Sequence, residues 1–507
     1  MFIEPLEARV APAALIALTL TGTSLKISLS SSEQITTSVD PNGVFDIAGM
    51  AGDAFTLNGH LLQTTGGSTP VAALTGHHIG AVSIVDSNAG DQDIINISGP
   101  ILGSLSIGLS GASSTIVLNT PKVQGALSVK TPLGGTTIDF NNNVSTVIGG
   151  PVKLALGIGI NQVFEDTPQL EVDGAFTETG GPVKAGQTIV GSNTFVAEGS
   201  SFLNVAGSLS FSSKFAPGSF SVLGPNLEVG GNLLVVTTGA VGGLPTLIVA
   251  NSIYVGGNLS ITSNSSESLA VGGQTVNVDG KVTLVQGGSG EIGISATNGP
   301  LNIGALVATG HGGEFVLGGV VGAGDVSGLA FAGATMIGGG MKLSNFGSVE
   351  MFAVGEIGGS VSIAGVSQVT VDSGATSANG HLAVGGTFTV SAPPPPATGK
   401  ASMNTVSIGD VVVGGSLTIN GNNGNGNYSL TDTAILGSTT LNLGTKVGVT
   451  NVAVTIAETF GDHQSFFANG FTANLPGSGS LVFTEVNFPP DLMVFGQATI
   501  SEPAGST

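Results

Sequence analysis

The chain has 507 residues, with 83 Gly, 22 Pro, two Tyr, no Trp and no Cys, and only 8% are charged, against about 25% in ordinary globular proteins. Yet 41% are hydrophobic and the mean hydropathy is +0.43, so this is not the core-poor composition of a disordered chain. The net charge of -21 comes from 32 acidic and 11 basic residues, and Arg9 is the only arginine. That excludes the clustered cations that nucleic acid or an anionic membrane requires.

The absence of cysteine removes disulfides, thiolate nucleophiles and Cys-ligated metals together. The longest apolar run, Val10 to Leu20, contains Pro12 and falls short of the roughly 20 residues of a spanning helix, so no transmembrane segment is predicted. The glycines cluster as Gly-Gly pairs and do not recur every third residue, which excludes collagen.

Residues 1–14 stand apart, with Glu4, Pro5, Glu7 and Arg9 close together and none of the basic start of a secretory signal. Leu6-Glu7-Ala8-Arg9-Val10-Ala11-Pro12-Ala13 resembles the Leu-Glu-x-Arg-x-x-Pro-Ala segment that opens many large surface or exported proteins of planctomycete and verrucomicrobial bacteria. The resemblance implies export and an extracellular or cell-surface location.

Farther along, Asp86-Ser87-Asn88-Ala89-Gly90-Asp91-Gln92-Asp93 gathers oxygen side chains around a glycine, the donor type that calcium takes in turns. Asp86, Asn88, Asp91 and Asp93 are therefore the candidate calcium ligands. The closing glutamate of an EF-hand is missing, and the stretch echoes Asp46-Ile47-Ala48-Gly49-Met50-Ala51-Gly52-Asp53. A repeated solvated turn of Asp and Asn explains both, and it is the preferred reading.

From about residue 100 one unit recurs: a short alternating apolar strand, a glycine corner, and a second such strand. Val276 and Val278 precede Gly280, with Val282 and Leu284 after it; Leu382 and Val384 precede Gly385-Gly386, with Phe388 and Val390 after; Val411 and Val413 precede Gly414-Gly415, with Leu417 and Ile419 after. Period two is the strand signal. Corner glycines at 103, 125, 150, 174, 207, 231, 257, 280, 304, 328, 339, 359, 386, 415 and 437 lie about 24 residues apart on average, a period of stacked repeats.

Coils of that variable length predict an all-β, right-handed parallel β-helix of about 15 or more coils with capped ends, stacked about 4.8 Å apart. The glycines are expected to supply positive φ at tight corners, and stacked corners also favour small residues. Ala392 to Lys400, with Pro393 to Pro396, is predicted to be an extruded loop, and Gly421 to Asn427 another. The predicted division is a sorting-type segment at 1–14, a solenoid over 15–450, and terminal coils with a cap over 451–507. The Gly-Gly coils resemble autotransporter passengers and filamentous adhesins.

Catalytic signals are sparse. Of the histidines at 60, 77, 78, 311, 381 and 463 only His77 and His78 are adjacent, and neighbours on a strand face opposite ways. Gly318 to Gly324 lacks the lysine and helix of a phosphate loop, and no nucleophile elbow is set before a helix. A glycosidase needs two carboxylates placed across a bond, and no Asp-Asp pair is present; two carboxylates could meet only from different coils. Tyr254 and Tyr428 are the only tyrosines for stacking a sugar.

The leading expectation is a non-enzymatic, monomeric surface rod, spacer or adhesin-like face with an unidentified surface or matrix ligand. Its alternatives are a carbohydrate-active enzyme of the same fold and a calcium-stabilised matrix protein. A groove of converging carboxylates on one β face would favour the enzyme.

Overall fold

The computed structural model describes residues 15–501, apart from 31, 40–43, 63–70, 76–78, 89, 112, 142–144, 181–191, 199–201, 214–217, 225, 238–245, 265, 298, 319–333, 353–354, 373–380, 394–403, 422–424, 444–451, 459–464, 476–478, 486–492 and 495. The described residues form strands and turns with no helix, in a long and mostly parallel sheet compatible with a solenoid. No helix among them is long and apolar enough to cross a membrane. The chain divides into two compact units, Met1–Gly231 and Asn232–Thr507.

In the first unit, strands pair in parallel with a partner three strands farther along the chain. Leu127–Thr131 pairs with Val152–Leu156, which pairs with Phe176–Gly180, which pairs with Leu209–Ser213. Ser113–Asn119, Gly135–Phe140 and Asn161–Glu165 form a second such column. Thr146–Ile148, Gln169–Val172 and Phe202–Val205 form a third.

Alternation then does the packing. Every second side chain points inward, so Val129, Leu154, Glu178 and Phe211 fall in one buried column. Phe176, Phe195, Phe211 and Phe220 meet beside it, with ring centroids 5.1–5.8 Å apart, the offset and edge contacts that aromatic quadrupoles favour.

The N-terminal end of this unit is built differently. Leu15–Thr21 pairs antiparallel with Ser24–Leu29, and Phe45–Ala48 pairs antiparallel with both Gln34–Val39 and Val71–Leu74. His60–Leu61, the short exposed partner of Ala54–Leu57, lies at the margin. Hairpins and very short edge strands blunt an edge that would otherwise recruit another chain.

The second unit repeats the three-column pairing. Val361–Ala364, Phe388–Ser391, Leu417–Asn420, Thr439–Asn442, Phe471–Asn474 and Ala498–Ser501 pair in sequence. Val361, Phe388 and Leu417 are fully buried in one inward column. Among the described residues of 451–507, the parallel pairing simply continues.

The corner glycines lie where the repeat places them, but for only one of the two expected reasons. In the first unit Gly125 N–H donates to Gly103 O, Gly207 to Gly174 and Gly231 to Gly207, at 2.9–3.0 Å. In the second, Gly280 donates to Gly257, Gly386 to Gly359 and Gly415 to Gly386 at 3.0 Å. None of these corners has positive φ; that conformation is found elsewhere, for example at Gly365 and at Asn345, Asp410 and Asp432.

Crowding is what excludes a side chain. A Cβ on Gly415 would stand 2.7 Å from Gly386 O and 2.8 Å from its carbonyl carbon. Gly328 and the Pro393 to Pro396 loop, except Pro393 itself, lie outside the described residues. The predicted loop Gly421 to Asn427 ends earlier than expected, because Gly426 and Asn427 already open the strand Gly426–Thr431.

Candidate functional site

The proposed calcium ligands come from one corner of the first unit. Asp86 ends the strand Ala81–Asp86 and Asp93 lies near the start of Gln92–Ser98. Both side chains are inward and buried. Asp86 Oδ1 accepts the Asn88 N–H at 3.1 Å, and Asp93 Oδ1 accepts the Glu33 N–H at 3.3 Å.

The Asn88 amide donates to Ser30 O. The second oxygens of Asp86, Asp91 and Asp93 are buried without a hydrogen-bond partner. Among the described residues, no three His, Cys, Asp or Glu side chains are arranged to hold a metal ion.

Burial first, then the neighbouring Asp86 charge, raises the Asp93 carboxyl to about 7. A proton therefore relieves this corner near neutral pH. The echoed stretch also turns, with Asp53 N–H donating to Met50 O at 3.1 Å and Asp53 Oδ2 accepting the Met50 N–H at 2.6 Å, but neither turn is the solvated one expected, because Asp53, Asp86 and Asp93 are buried.

Of the histidines, His60, His311 and His381 are exposed, and the other three lie outside the described residues. Within the first unit's core, Glu178 replaces an apolar residue between Leu154 and Phe211. Its carboxyl is fully buried, and loss of water raises it to about 8, partly offset by Asn193. Period-two alternation places Glu178 inward but gives no sign that it stays there as an acid.

Carboxylates from different coils do meet in the second unit. Glu314 and Glu350 lie in paired strands, Glu314–Leu317 and Ser348–Phe352. Burial, and then Glu314 with its hydrogen bond, raises the Glu350 carboxyl above its usual range. Glu291 is raised by burial and then by these two neighbours. In the register Glu314 faces Ser348 and Glu350 faces Val316, so the two acids are diagonal neighbours on adjacent strands.

A site-like feature among the described residues is an open groove of about 630 Å³ on the outer side of the second unit. Its wall is one outward register: Tyr254 beside Asn277, Asn277 beside Asn302, Asn302 beside Met336, and Met336 beside Glu356. Asn302 Nδ2 donates to Asn277 Oδ1 at 2.8 Å, and the Tyr254 hydroxyl donates to Asp279 Oδ2 at 3.0 Å. Tyr254 is 37% exposed and Met336 53%, whereas Tyr428 is buried.

Asp279 and Glu356 are the groove's carboxylates. Three strand steps of about 4.8 Å, roughly 14 Å in all, separate their strands. That exceeds the roughly 6.5–9.5 Å of an inverting glycosidase. The groove can hold a ligand by ring face, amide and hydroxyl contacts, with no acid pair across a bond. Reading neighbours along the chain cannot find it, because its residues are some 20 to 35 positions apart and meet only through the register.

The chain matches no protein-family model, no curated protein and no solved structure.

Proposed function

We propose that the chain is a right-handed parallel β-helix acting outside the bacterial cell as a non-enzymatic structural spacer or adhesive surface. The observation that carries this reading is a set of exterior amide and hydroxyl rows bonded to one another coil by coil. Asn474 Nδ2 donates to Asn442 Oδ1 at 2.7 Å, Asn442 Nδ2 to Asn420 Oδ1 at 3.0 Å, and Asn420 Nδ2 to Ser391 Oγ at 3.2 Å. Thr387 with Ser360, and Ser416 with Ser438, do the same at other corners, at 3.1–3.2 Å.

Side chains committed to their neighbours give a stable face with little chemistry to offer. Catalysis, by contrast, draws on titratable groups concentrated around a substrate. The parallel three-strand repeat and the usual right-handed crossover of parallel connections support the fold. The N-terminal segment's resemblance to those of exported proteins supports the location.

The test has two arms. Protease shaving of intact producing cells is expected to release peptides of this chain. Purified protein is expected to release no reducing ends from neutral polysaccharides and no unsaturated uronates from polygalacturonate. A chain untouched by shaving would overturn the location, and turnover of either substrate class would overturn the role.

A further inference from the structure

The groove at Tyr254 differs from the amide and hydroxyl rows in adding an aromatic ring, a thioether and carboxylates, and its chemistry names an occupant. Its floor is formed of interior strands whose backbone groups are already spent between coils. Val276 N–H donates to Pro300 O, Leu301 to Ala334, Gly338 to Ile303 and Gly358 to Ile337, at 2.8–3.1 Å. A peptide adding itself as a strand needs an open edge, and none is offered here. An occupant must bind through side chains.

Those side chains are a half-exposed phenol ring, a pair of amides and an exposed thioether, ending at a carboxylate. Amides and carboxylates match hydroxyls, which donate and accept at once. An exposed aromatic face suits the apolar face of a sugar ring, since such rings pair a broad contact area with a polar tip. Polyanions are disfavoured by Asp279 and Glu356 in the groove and by the net charge of -21. The wall repeats at the inter-strand step of about 4.8 Å, so a ligand that itself repeats along its length can meet each strand in turn.

We propose that this groove binds a neutral polysaccharide chain laid across the coils from Tyr254 to Glu356. The inference rests on the adhesive-surface reading and names the partner of that surface. Tyr254 would stack on one ring, Asn277, held by the Asn302 amide, would bond a hydroxyl, and Met336 would cover the next apolar ring face. The acids are too far apart to cut the chain, so binding is without turnover.

The protein has two tyrosines and no tryptophan, and Tyr428 is buried, so a ligand-induced change in tyrosine emission reports on Tyr254 over a constant background from Tyr428. The probes are cellopentaose, xylopentaose, mannopentaose and laminaripentaose, with polygalacturonate as the anionic comparison, each titrated calorimetrically and by emission into the full chain. At least one neutral pentasaccharide is expected to bind and change the emission, with polygalacturonate weaker. Tyr254→Ala should weaken binding by about tenfold or more, the loss of one good contact.

A second variant guards against a folding artefact. A Cβ on Gly338 would meet nothing nearer than Gly304 O at 3.7 Å, so Gly338→Phe meets no clash at its first side-chain atom and should plug the groove, with its melting temperature and circular dichroism checked against the parent's. Silence of all four neutral probes, tighter binding of polygalacturonate, or full binding by Gly338→Phe would each overturn the proposal. None of these results bears on surface location or turnover, which the shaving and release assays read separately.

Discussion

A single methyl group is enough to test the corners, because what limits them is space. At Gly231 a Cβ would lie 2.6 Å from the Ser208 hydroxyl oxygen and 3.0 Å from the Gly207 carbonyl, while at Gly108 it would meet nothing within 4 Å. Gly231→Val and Gly415→Val are expected to cost about 1–3 kcal/mol, the usual price of overpacking, and Gly108→Val much less. Urea midpoints of the three variants check this, and equal midpoints would refute the crowding argument. Titration supplies a second test at Glu178, raised from 4.5 to about 8 by burial. The native chain then holds a proton that the unfolded chain has lost, so stability falls as pH rises between those values and the loss is complete above about 8. Glu178→Gln should flatten that dependence, leaving the variant about 3–5 kcal/mol more stable than the parent above pH 8, an upper bound at ~1.4 kcal/mol per tenfold change in proton affinity, and little different below pH 4.5. Denaturant melts at pH 4.5 and 9 measure it. Asp93 obeys the same sign, with its proton satisfying the corner near neutrality. Calcium at millimolar concentration is therefore expected to leave the melting temperature unchanged, whereas a site that bound it would raise that temperature by linkage.

At the scale of strands, the Asn474–Asn442–Asn420 row shows how an exposed face adds to stability without charge. Asn442 and Asn420 each donate to the coil before and accept from the coil after. Asn442→Ala removes two such bonds in solvent and should cost about 0.5–1.5 kcal/mol. Leu417→Ala, in the fully buried column one strand face away, should cost about 2–5 kcal/mol. Differential scanning calorimetry of the pair ranks the ladder against the core. The same contrast explains what was readable in the chain. Alternation with a glycine corner fixed the strands around Gly386 and Gly415, since burial on one face leaves only one register. It could not separate the antiparallel hairpins at 15–74 from parallel coils, because Ile16 and Leu18 alternate just as Leu417 and Ile419 do. Pairing direction depends on what lies beside a strand, and the groove likewise: Tyr254, Asn302 and Glu356 become neighbours only once each repeat's length is known. The Gly426 strand was masked by its own Asn and Gly content, which pairing with Asn404–Gly409 overrides.

For the whole molecule the governing quantity is charge. The chain carries a net -21 with 11 cations, and an excess of one sign keeps copies apart in solution by long-range repulsion. That repulsion is screened within about 10 Å at 0.1 M salt, and it vanishes as the carboxylates protonate toward the sequence isoelectric point near 4.3. The exterior amide and hydroxyl rows carry no charge of their own, so nothing else opposes association once the acids are neutral. Light scattering at pH 7.5 and low ionic strength is therefore expected to give strong intermolecular repulsion, weakening as sodium chloride is raised to about 0.5 M, where the screening length is only a few ångströms. At pH 4.3 the same measurement should show attraction and a solubility minimum. Because Asp93, Glu178 and Glu350 hold their protons to higher pH than ordinary carboxyls, the loss of repulsion should begin slightly above the range that the sequence alone implies. Association that is strongest at pH 7.5, or indifferent to salt there, would show that specific contacts between copies and not net charge control how the molecules meet.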